Sequence, residues 1–218
     1  MTIDYAKARE TMVEQQVRPW DVLDLRVLEA LNAVPRDAFV PEAHRALAYA
    51  DLELPIGHGQ SMMKPVVEGR MLQALEIGAG DEVLEIGTGT GFVSACLGWL
   101  ARDVHTLEAV PQLADAARAR LARLGMDNNV RVETADALVW NTDRRFDAIC
   151  VTGAVDALAP RFVEWLRPGG RLFAVRGRAP VMEAVRVRNE VNGARIESLF
   201  ETELQYLAGA APAPEFSL

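Results

Sequence analysis

The chain has 218 residues, half of them hydrophobic and a quarter charged, with a formal net charge of −8. These values predict a soluble globular protein built around one domain of ordinary size. The acidic balance argues against a nucleic-acid partner, because neutralising phosphates requires a basic surface. No apolar run approaches the roughly 20 residues needed to cross a bilayer, so we expect a cytoplasmic protein without membrane contact. Cys96 and Cys150 each lie in an apolar segment and are expected to be reduced core residues.

The front of the chain predicts helices around a long loop. Residues 5–18 have helical spacing up to Pro19, and Asp24 is a candidate N-cap for a second helix that ends at Pro35. Residues 35–65 are rich in proline and glycine, and a loop of that length is usually functional. Helical spacing returns over 66–75. We therefore describe residues 1–80 as an N-terminal helical and loop region that covers the functional site.

From residue 81 onward, strand-like and helix-like segments alternate, which predicts a parallel sheet with helices on both faces. The predicted strands are 82–86, 103–107, 130–134, 146–151 and 170–175, and the predicted helices are 91–101, 111–124 and 156–166. Two further β-like runs, 183–191 and 194–205, flank Asn192-Gly193, a strong hairpin signal. Residues 81–207 are the predicted core, and 208–218 are a predicted irregular tail.

The most informative segment is Val83–Gly91, in which a strand ends in an acid and then in three glycines at alternate positions. A strand that turns into a helix over glycines exposes backbone N–H groups and a helix N-terminus to a ligand. Such a turn indicates a nucleotide-like cofactor. Dinucleotide-dependent dehydrogenases also use one, so the turn alone does not choose between cofactors.

Three further features together favour S-adenosyl-L-methionine (SAM) over a dinucleotide, and each includes an acidic residue. The first is the spacing Glu-x-Gly-x-Gly-x-Gly in place of Gly-x-Gly-x-x-Gly. Glu85 ends the strand before the turn, where it can order the glycines or contact the cationic methionine part of SAM. Glu108 ends the next strand and can accept hydrogen bonds from both ribose hydroxyls. Asp136, between Ala135 and Ala137, follows the third strand and can accept a hydrogen bond from the adenine amine.

The order of elements and the turn Leu166–Gly170 resemble those of class I SAM-dependent methyltransferases. This resemblance implies an α/β, Rossmann-like fold with a mostly parallel seven-stranded sheet and a C-terminal antiparallel hairpin. It also implies SAM as the cofactor, with an NAD-type enzyme as the alternative. The predicted cofactor-binding residues are Glu85, Gly87, Thr88, Gly89, Gly91, Glu108, Ala135, Asp136, Ala137 and Thr152.

Motifs in the front third are more specific. Val34–Pro41, Ala48–Asp51 and Leu54–Gln60 resemble the protein-L-isoaspartate O-methyltransferase family, and the resemblance continues through Val83–Gly91 and Arg145–Thr152. The resemblance implies methyl transfer from SAM to the α-carboxyl group of an isoaspartyl residue in a damaged protein or peptide. The ester would then collapse to a succinimide that partly reopens as normal aspartate.

The substrate loop departs from the family pattern. The family reads Gly-Gln-Thr-Ile-Ser-x-Pro here, and its serine is implied to hold the acceptor carboxylate, whereas this chain has Met63 in the place of that serine. Ser61 lies two residues earlier and would point to the same side of an extended loop. Ser61, Gln60 and His58 are therefore the candidate catalytic residues. Lys64 is either a positive charge for an anionic substrate or an ordinary surface lysine. No strong general base is needed, because a carboxylate is already ionised at neutral pH, and no metal site is predicted.

Further departures are the alanines that flank Asp136, Gly153–Asp156 after the fourth strand, and Gln205–Ala208 near the end of the chain. The substrate-loop and tail changes fall where a peptide should bind. Three hypotheses stay open: isoaspartyl methylation, methylation of another carboxylate or small molecule, and SAM binding without catalysis. The sequence gives no indication of the oligomeric state.

Overall fold

The computed structural model describes residues 3–213, so positions 214–218 of the predicted tail lie outside the described residues. The helices are α1 (Tyr5–Met12), α2 (Leu25–Ala33), α3 (Pro65–Ala74), α4 (Phe92–Leu100), α5 (Pro111–Leu124) and α6 (Pro160–Glu164). The strands are β1 (Leu54–Gly57), β2 (Gln60–Met62), β3 (Glu82–Ile86), β4 (Asp103–Glu108), β5 (Val130–Thr134), β6 (Phe146–Val155), β7 (Leu166–Arg178), β8 (Val181–Glu190) and β9 (Gly193–Thr202).

Seven of these strands form one sheet in the order β5-β4-β3-β6-β7-β8-β9. The first five strands in that order are parallel to one another, and β8 runs antiparallel to both β7 and β9. The predicted fold class is therefore confirmed, including the antiparallel hairpin at the end. Because parallel strands share a direction, the carboxyl ends of β3, β4, β5 and β6 lie at one edge of the sheet.

Side chains that alternate along β3 supply two separate hydrophobic cores. Val83 belongs to a cluster that contains Leu97 of α4 and Leu121 of α5. Leu84, the next residue, belongs to a second cluster with Phe162 of α6. Successive strand residues face opposite sides of a sheet, so helices cover both faces, as predicted.

Several element boundaries follow from local signals. The Asp24 side chain accepts a hydrogen bond from the Arg26 N–H at 2.9 Å and begins α2 as predicted. The α5 helix ends at Gly125, which has φ 65° and supplies the left-handed conformation common at helix ends. The observed bounds of β3, α5 and β5 are the predicted ones.

The front region differs from the prediction in two places. The helix predicted over 5–18 is α-helical only to Met12 and continues as a π-helical turn and a short 3₁₀ segment to Trp20. The turn buries Val13 and Val17. The predicted loop of 35–65 contains two 3₁₀ segments and the β1–β2 hairpin, whose strands are too short to show a period in sequence.

Three differences occur after residue 150. Helix α6 covers only Pro160–Glu164 rather than 156–166, because the preceding residues are extended or bent. Strand β7 begins at Leu166, so the Pro168–Gly170 turn lies within its span and the strand is longer than 170–175. In the β8–β9 hairpin, Glu190 pairs with Gly193, so the loop is Val191-Asn192 rather than Asn192-Gly193.

The division of the chain at residue 80 stays a prediction. One buried hydrophobic cluster contains residues from both sides of that division, such as Leu31 and Leu97. Cys96 and Cys150 are buried and free, as predicted. Within residues 3–213, every helix is too short or too polar to cross a bilayer.

Gly69 of α3 packs directly against the π-helical turn near the start of the chain. A Cβ atom at Gly69 would lie 2.6 Å from Cγ1 of Val17 and 3.3 Å from Cγ2 of Val22. Both valines are fully buried. The absence of a side chain at Gly69 thus allows the front of the chain to pack on α3.

We expect Gly69→Ala to lower the free energy of unfolding by about 1–3 kcal/mol, because the buried, β-branched Val17 cannot easily move. Urea unfolding followed by circular dichroism would measure the change. Gly80→Ala is the matched control, since nothing lies within 4 Å of a Cβ placed there. A Gly69→Ala variant as stable as the control would contradict the packing constraint.

Candidate active site

A cavity of about 730 Å³ opens at the edge of the sheet where the parallel strands end, and we call it the main cavity. Its walls include residues at the ends of β3 and β4, after β5 and within β6, together with residues of the β1–β2 hairpin and of the segment after β9. Most of the predicted cofactor-binding residues lie on it: Gly87, Gly89, Glu108, Ala135, Asp136, Ala137 and Thr152.

The glycine turn after β3 forms the floor of the main cavity. Gly87, Gly89 and Gly91 have φ values of 98°, 53° and 87°, which favour residues without a side chain. Gly87 donates its N–H to the Leu107 carbonyl at 2.8 Å, and this bond ties the turn to β4. Thr88 lines a smaller cavity that adjoins the main one. Gly91 lies outside both cavities and packs near Leu121 of α5.

Glu108 at the end of β4 is held rigidly by backbone donors. One carboxylate oxygen, Oε2, accepts the Gly89 N–H at 2.8 Å, and Oε1 accepts the Val110 N–H at 2.9 Å. The side chain is buried and lines the main cavity. Each carboxylate oxygen has a second lone pair, so Glu108 can still accept two hydrogen bonds from a ligand.

Asp136 and its neighbours form the wall beyond β5. Oδ1 of Asp136 accepts the Leu138 N–H at 2.9 Å, which fixes the direction of the exposed carboxylate. The Ala135 N–H donates to the Glu108 carbonyl at 2.9 Å, so this wall is tied to the end of β4. The small side chains of Ala135 and Ala137 leave the cavity open beside two carboxylates.

Thr152 supports the turn from β6. Its hydroxyl lies 2.9 Å from the Ile86 carbonyl and 2.5 Å from the Gly87 carbonyl. A Cβ at Gly87 would lie 2.5 Å from the same hydroxyl, so a side chain at that position would collide with it. The close packing of Thr152 on the turn therefore requires a glycine at position 87.

Glu85 is buried in a second, adjoining cavity rather than in the main one. This side cavity has a volume of about 310 Å³ and shares Gly87, Gly89, Ser61 and Thr152 with the main cavity. Oε2 of Glu85 accepts a hydrogen bond from Ser94 of α4 at 2.5 Å. The glycine turn is tied to Glu108 and Leu107 instead, so the expectation that Glu85 orders it is wrong.

The second oxygen of Glu85, Oε1, is buried and accepts no hydrogen bond within residues 3–213. Burial raises the pKa of Glu85 to about 8, although the hydroxyl groups of Ser94 and Thr106 oppose that shift. A buried polar atom without a partner is rare in proteins, and it commonly marks a place where a ligand or water supplies the missing bond.

The β1–β2 hairpin brings two of the three candidate catalytic residues to the main cavity. Ser61 is paired with Pro55, is partly buried and lines both cavities, whereas Gln60 lines the main cavity alone. His58 lies at the exposed turn of the hairpin with φ 53° and is absent from the described walls of both cavities. The structure thus does not bring His58 together with the other site residues.

Two charged residues of the site were not recognised in the sequence. Glu68 of α3 lines the side cavity beside Met63, and it forms a buried ion pair with Arg36. Arg36 also donates to the Met63 carbonyl at 2.7 Å. The sequence did contain a signal that Glu68 is buried, because it occupies the same helical face as the buried Met71, Leu72 and Leu75.

The segment after β9 covers the main cavity. Gln205 accepts the Ala154 N–H at 2.8 Å through its carbonyl, and its side-chain amide donates to the Gly59 carbonyl of the hairpin turn. Leu207 packs so closely on β6 that a Cβ at Gly153 would lie 2.8 Å from it. The lack of a side chain at Gly153 therefore makes room for Leu207, so two of the departures from the family pattern pack against each other.

A family model and the relatives found by sequence agree on one family. A family model described as protein-L-isoaspartate(D-aspartate) O-methyltransferase matches residues 7–205. The chain is 40% identical to protein-L-isoaspartate O-methyltransferase 1 of Rhodopseudomonas palustris, over 97% of this chain and 89% of that protein. It is also 40% identical to a protein-L-isoaspartate O-methyltransferase of Geobacter metallireducens, over 87% and 88% of the two chains.

A solved structure shows the same fold. The Plasmodium falciparum protein, described as a protein-L-isoaspartate O-methyltransferase and determined with S-adenosyl-L-homocysteine, superposes with a TM-score of 0.78 over 94% of this chain and 99% of that one. The sequence identity of 19% restricts this likeness to the fold. Within the described residues, no group of three or more histidine, cysteine or acidic side chains could hold a metal ion.

The raised pKa of Glu85 predicts a pH-dependent stability. The unfolded carboxyl group ionises near its usual value of 4.5, but the folded one keeps its proton to about pH 8. The unfolded state therefore holds fewer protons in this window, and stability falls as the pH rises through it.

Glu85→Gln removes this titration, so its free energy of unfolding relative to the parent protein should increase steadily from about pH 5 to about pH 8. The gain should reach a few kcal/mol at most, since one pKa unit corresponds to about 1.4 kcal/mol. Urea unfolding at several pH values without ligand would measure it. A stability difference that is constant across this range would contradict the raised pKa.

Proposed function

This chain belongs to the protein-L-isoaspartate O-methyltransferase family and is a SAM-dependent methyltransferase, and we propose that its acceptor is the carboxylate of isoaspartyl residues in damaged proteins. Members of the family act on isoaspartyl-containing protein substrates. The observation that carries the proposal is the position of Ser61 and Gln60. Both line the cavity that also contains Glu108 and the glycine turn, so an acceptor and a cofactor can meet there.

The residues of the main cavity fit SAM. Glu108 would accept hydrogen bonds from the ribose hydroxyls, because its two oxygens are fixed by backbone donors and keep free lone pairs. Asp136 would accept a bond from the adenine amine, with Ala135 and Ala137 forming walls that leave room for the ring. Thr152 would keep the Gly87 backbone in place. Bound SAM supplies a methyl group on a positively charged sulfur.

Ser61 would hold the acceptor carboxylate through its hydroxyl. A carboxylate is ionised at neutral pH and is a ready nucleophile, so the site needs no strong general base. The protein must instead orient the carboxylate and remove its water. The apolar side chains of Ile56, Met62 and Leu204 line the cavity beside Ser61 and would exclude water during the transfer.

The net charge and the two cysteines support a protein acceptor and a reducing compartment. A net charge of −8 favours a protein acceptor over a nucleic acid. Two free, buried cysteines favour a reducing compartment such as the cytoplasm, although a buried thiol is also protected by its packing.

Transfer of tritium from labelled SAM to an isoaspartyl peptide tests the proposal. We expect the isoaspartyl peptide to be methylated and the matching aspartyl peptide to remain unlabelled. Ser61→Ala should lower kcat/KM about tenfold to a hundredfold, which is the usual effect of losing a hydrogen bond to a charged group. Ser198→Ala, an exposed change on β9, is the matched control and should keep the parent rate.

Met63→Ser provides the reciprocal experiment. A hydroxyl at this position should raise the parent rate and restore the rate lost by Ser61→Ala, because residues 61 and 63 both line the side cavity. Absence of methylation of any isoaspartyl peptide would contradict the proposed acceptor. A Ser61→Ala variant with full activity would contradict only the role of the serine.

Glu108→Ala tests the cofactor site separately. We expect the variant to bind S-adenosyl-L-homocysteine more weakly by about 1–3 kcal/mol, because charge-assisted hydrogen bonds to the ribose are lost. Isothermal titration calorimetry would measure the affinity. Asp103→Ala, at the opposite end of β4, is the control and should bind as the parent does. Equal affinities for the two variants would show that Glu108 does not bind the ribose.

A further inference from the structure

A groove of about 1160 Å³ lies between the front region and helix α5, and we call it the basic groove. None of its described lining residues also lines the main cavity or the side cavity. Its charged residues are Asp37, Glu42 and Arg45 of the front region and Arg120 and Arg123 of α5. The groove therefore combines three positive side chains with two negative ones, in a protein whose net charge is −8.

Both acids of the basic groove are paired with Arg45. Nη2 of Arg45 donates to Oδ2 of Asp37 at 3.0 Å, and Nη1 lies 3.8 Å from a carboxylate oxygen of Glu42. Oδ1 of Asp37 accepts a second hydrogen bond, from the Tyr49 hydroxyl at 2.7 Å. Neither acid forms an ion pair with α5 in the described part of the chain. The positive charges of α5 therefore have no acidic partner in the groove.

Arg120 carries a partly buried charge that no described acid compensates. Its Nη1 donates to the Thr90 carbonyl at 2.7 Å, and its other nitrogens take part in no described hydrogen bond or ion pair. Arg123 is exposed and forms no hydrogen bond or ion pair among residues 3–213. Burial lowers the pKa of Arg120, and the charge of Arg123 lowers it further. Both guanidinium groups thus keep unused donors that face no acid of the described chain.

The spacing of the two arginines of α5 suits a phosphate group. Residues three apart on a helix have Cβ atoms about 5–6 Å from each other, so both side chains can reach one ligand. A guanidinium group presents its N–H donors in a planar fork that matches phosphate oxygens, and the attraction is strongest where water is partly excluded. The groove is much larger than a phosphate ion, and Val40 and Leu124 add apolar surface to it. A phosphate attached to a small apolar body therefore fits the groove best.

We propose that the basic groove binds a phosphate monoester of a small organic molecule through Arg120 and Arg123, and that this binding strengthens the binding of the cofactor. The link is the hydrogen bond from Arg120 to Thr90, which lies between Gly89 and Gly91 in the glycine turn and lines the side cavity. A phosphate bound to the free nitrogens leaves Nη1 on the Thr90 carbonyl and holds the guanidinium group there. The coupling rests on the cofactor site proposed above, whereas the phosphate site does not.

Calorimetry tests both parts of the proposal without relying on turnover. Phenyl phosphate supplies the monoester and inorganic phosphate supplies the anion alone, while sodium chloride keeps the ionic strength constant. We expect the protein to bind phenyl phosphate about threefold to tenfold more tightly than inorganic phosphate, because the ring covers apolar surface. Saturating phenyl phosphate should strengthen S-adenosyl-L-homocysteine binding about fivefold, and by linkage S-adenosyl-L-homocysteine should strengthen phenyl phosphate binding by the same factor.

Arg123→Gln separates the basic groove from any other effect of phosphate. Arg123 is exposed, so the variant should fold as the parent does. It should bind phenyl phosphate at least tenfold more weakly, and its affinity for S-adenosyl-L-homocysteine should no longer respond to phenyl phosphate. Arg131→Gln is the matched control, because Arg131 is an exposed arginine of β5 that is absent from the described lining of the groove and of both cavities. It should keep the affinities of the parent and the response.

Equal affinities of the parent and of Arg123→Gln for phenyl phosphate would overturn the phosphate site. An affinity of the parent for S-adenosyl-L-homocysteine that stays constant at saturating phenyl phosphate would overturn the coupling. Failure of the parent to bind S-adenosyl-L-homocysteine under either condition would contradict the proposed cofactor site instead. Titration of the protein alone with phenyl phosphate would still test the basic groove in that case, so the two failures are distinguishable.

Discussion

The lack of side chains at three alternate positions after β3 is the constraint on which the site depends. Each glycine allows a different element to approach: Thr152 of β6 at Gly87, Ile56 of β1 at Gly89 and Leu121 of α5 at Gly91. Their positive φ values let the chain turn from strand to helix within a few residues. A Cβ at Gly87 would collide with the Thr152 hydroxyl at 2.5 Å, and one at Gly89 would lie 3.3 Å from the end of the Ile56 side chain. Gly87 and Gly89 therefore shape the cavity floor, and Gly91 lies at the contact with α5.

The front region is joined to this floor by buried polar contacts as well as by apolar packing. Arg36 connects a 3₁₀ segment, helix α3 and the strand that carries Ser61, through Glu68 and the Met63 carbonyl. A buried ion pair adds little net stability compared with apolar residues, because both charges lose their water. Its contribution is geometric, since Arg36 bonds both the Glu68 carboxylate and the Met63 carbonyl. This explains how a segment with little regular secondary structure can present a hydroxyl at a defined place.

The sequence predicted the parts of the site that depend on strand order. Acids at the ends of successive parallel strands must come to one edge, and so Glu108 and Asp136 were assigned to the cavity that they do line. The same motifs also predicted His58 and Gly91 as site residues. His58 lies in an exposed turn instead, and Gly91 packs on α5. Glu68 was missed because its importance depends on Arg36, 32 residues earlier in the chain. The covering segment after β9 depends on a similar distant contact, between Gln205 and Gly59.

The replacement of the family serine by Met63 is compatible with the proposed reaction because that reaction needs little from the protein. An ionised carboxylate requires a donor that holds it and a surface that excludes water, and the donor's chain position is not dictated by the chemistry. Ser61 lines both cavities, whereas Met63 lines only the side cavity, where its backbone carbonyl is bound by Arg36. A thioether cannot donate a hydrogen bond, so the position that lost its hydroxyl kept a structural role through the main chain. In the proposed site the donor would be Ser61 and the support for the loop is the Met63 carbonyl, two functions that one serine could combine.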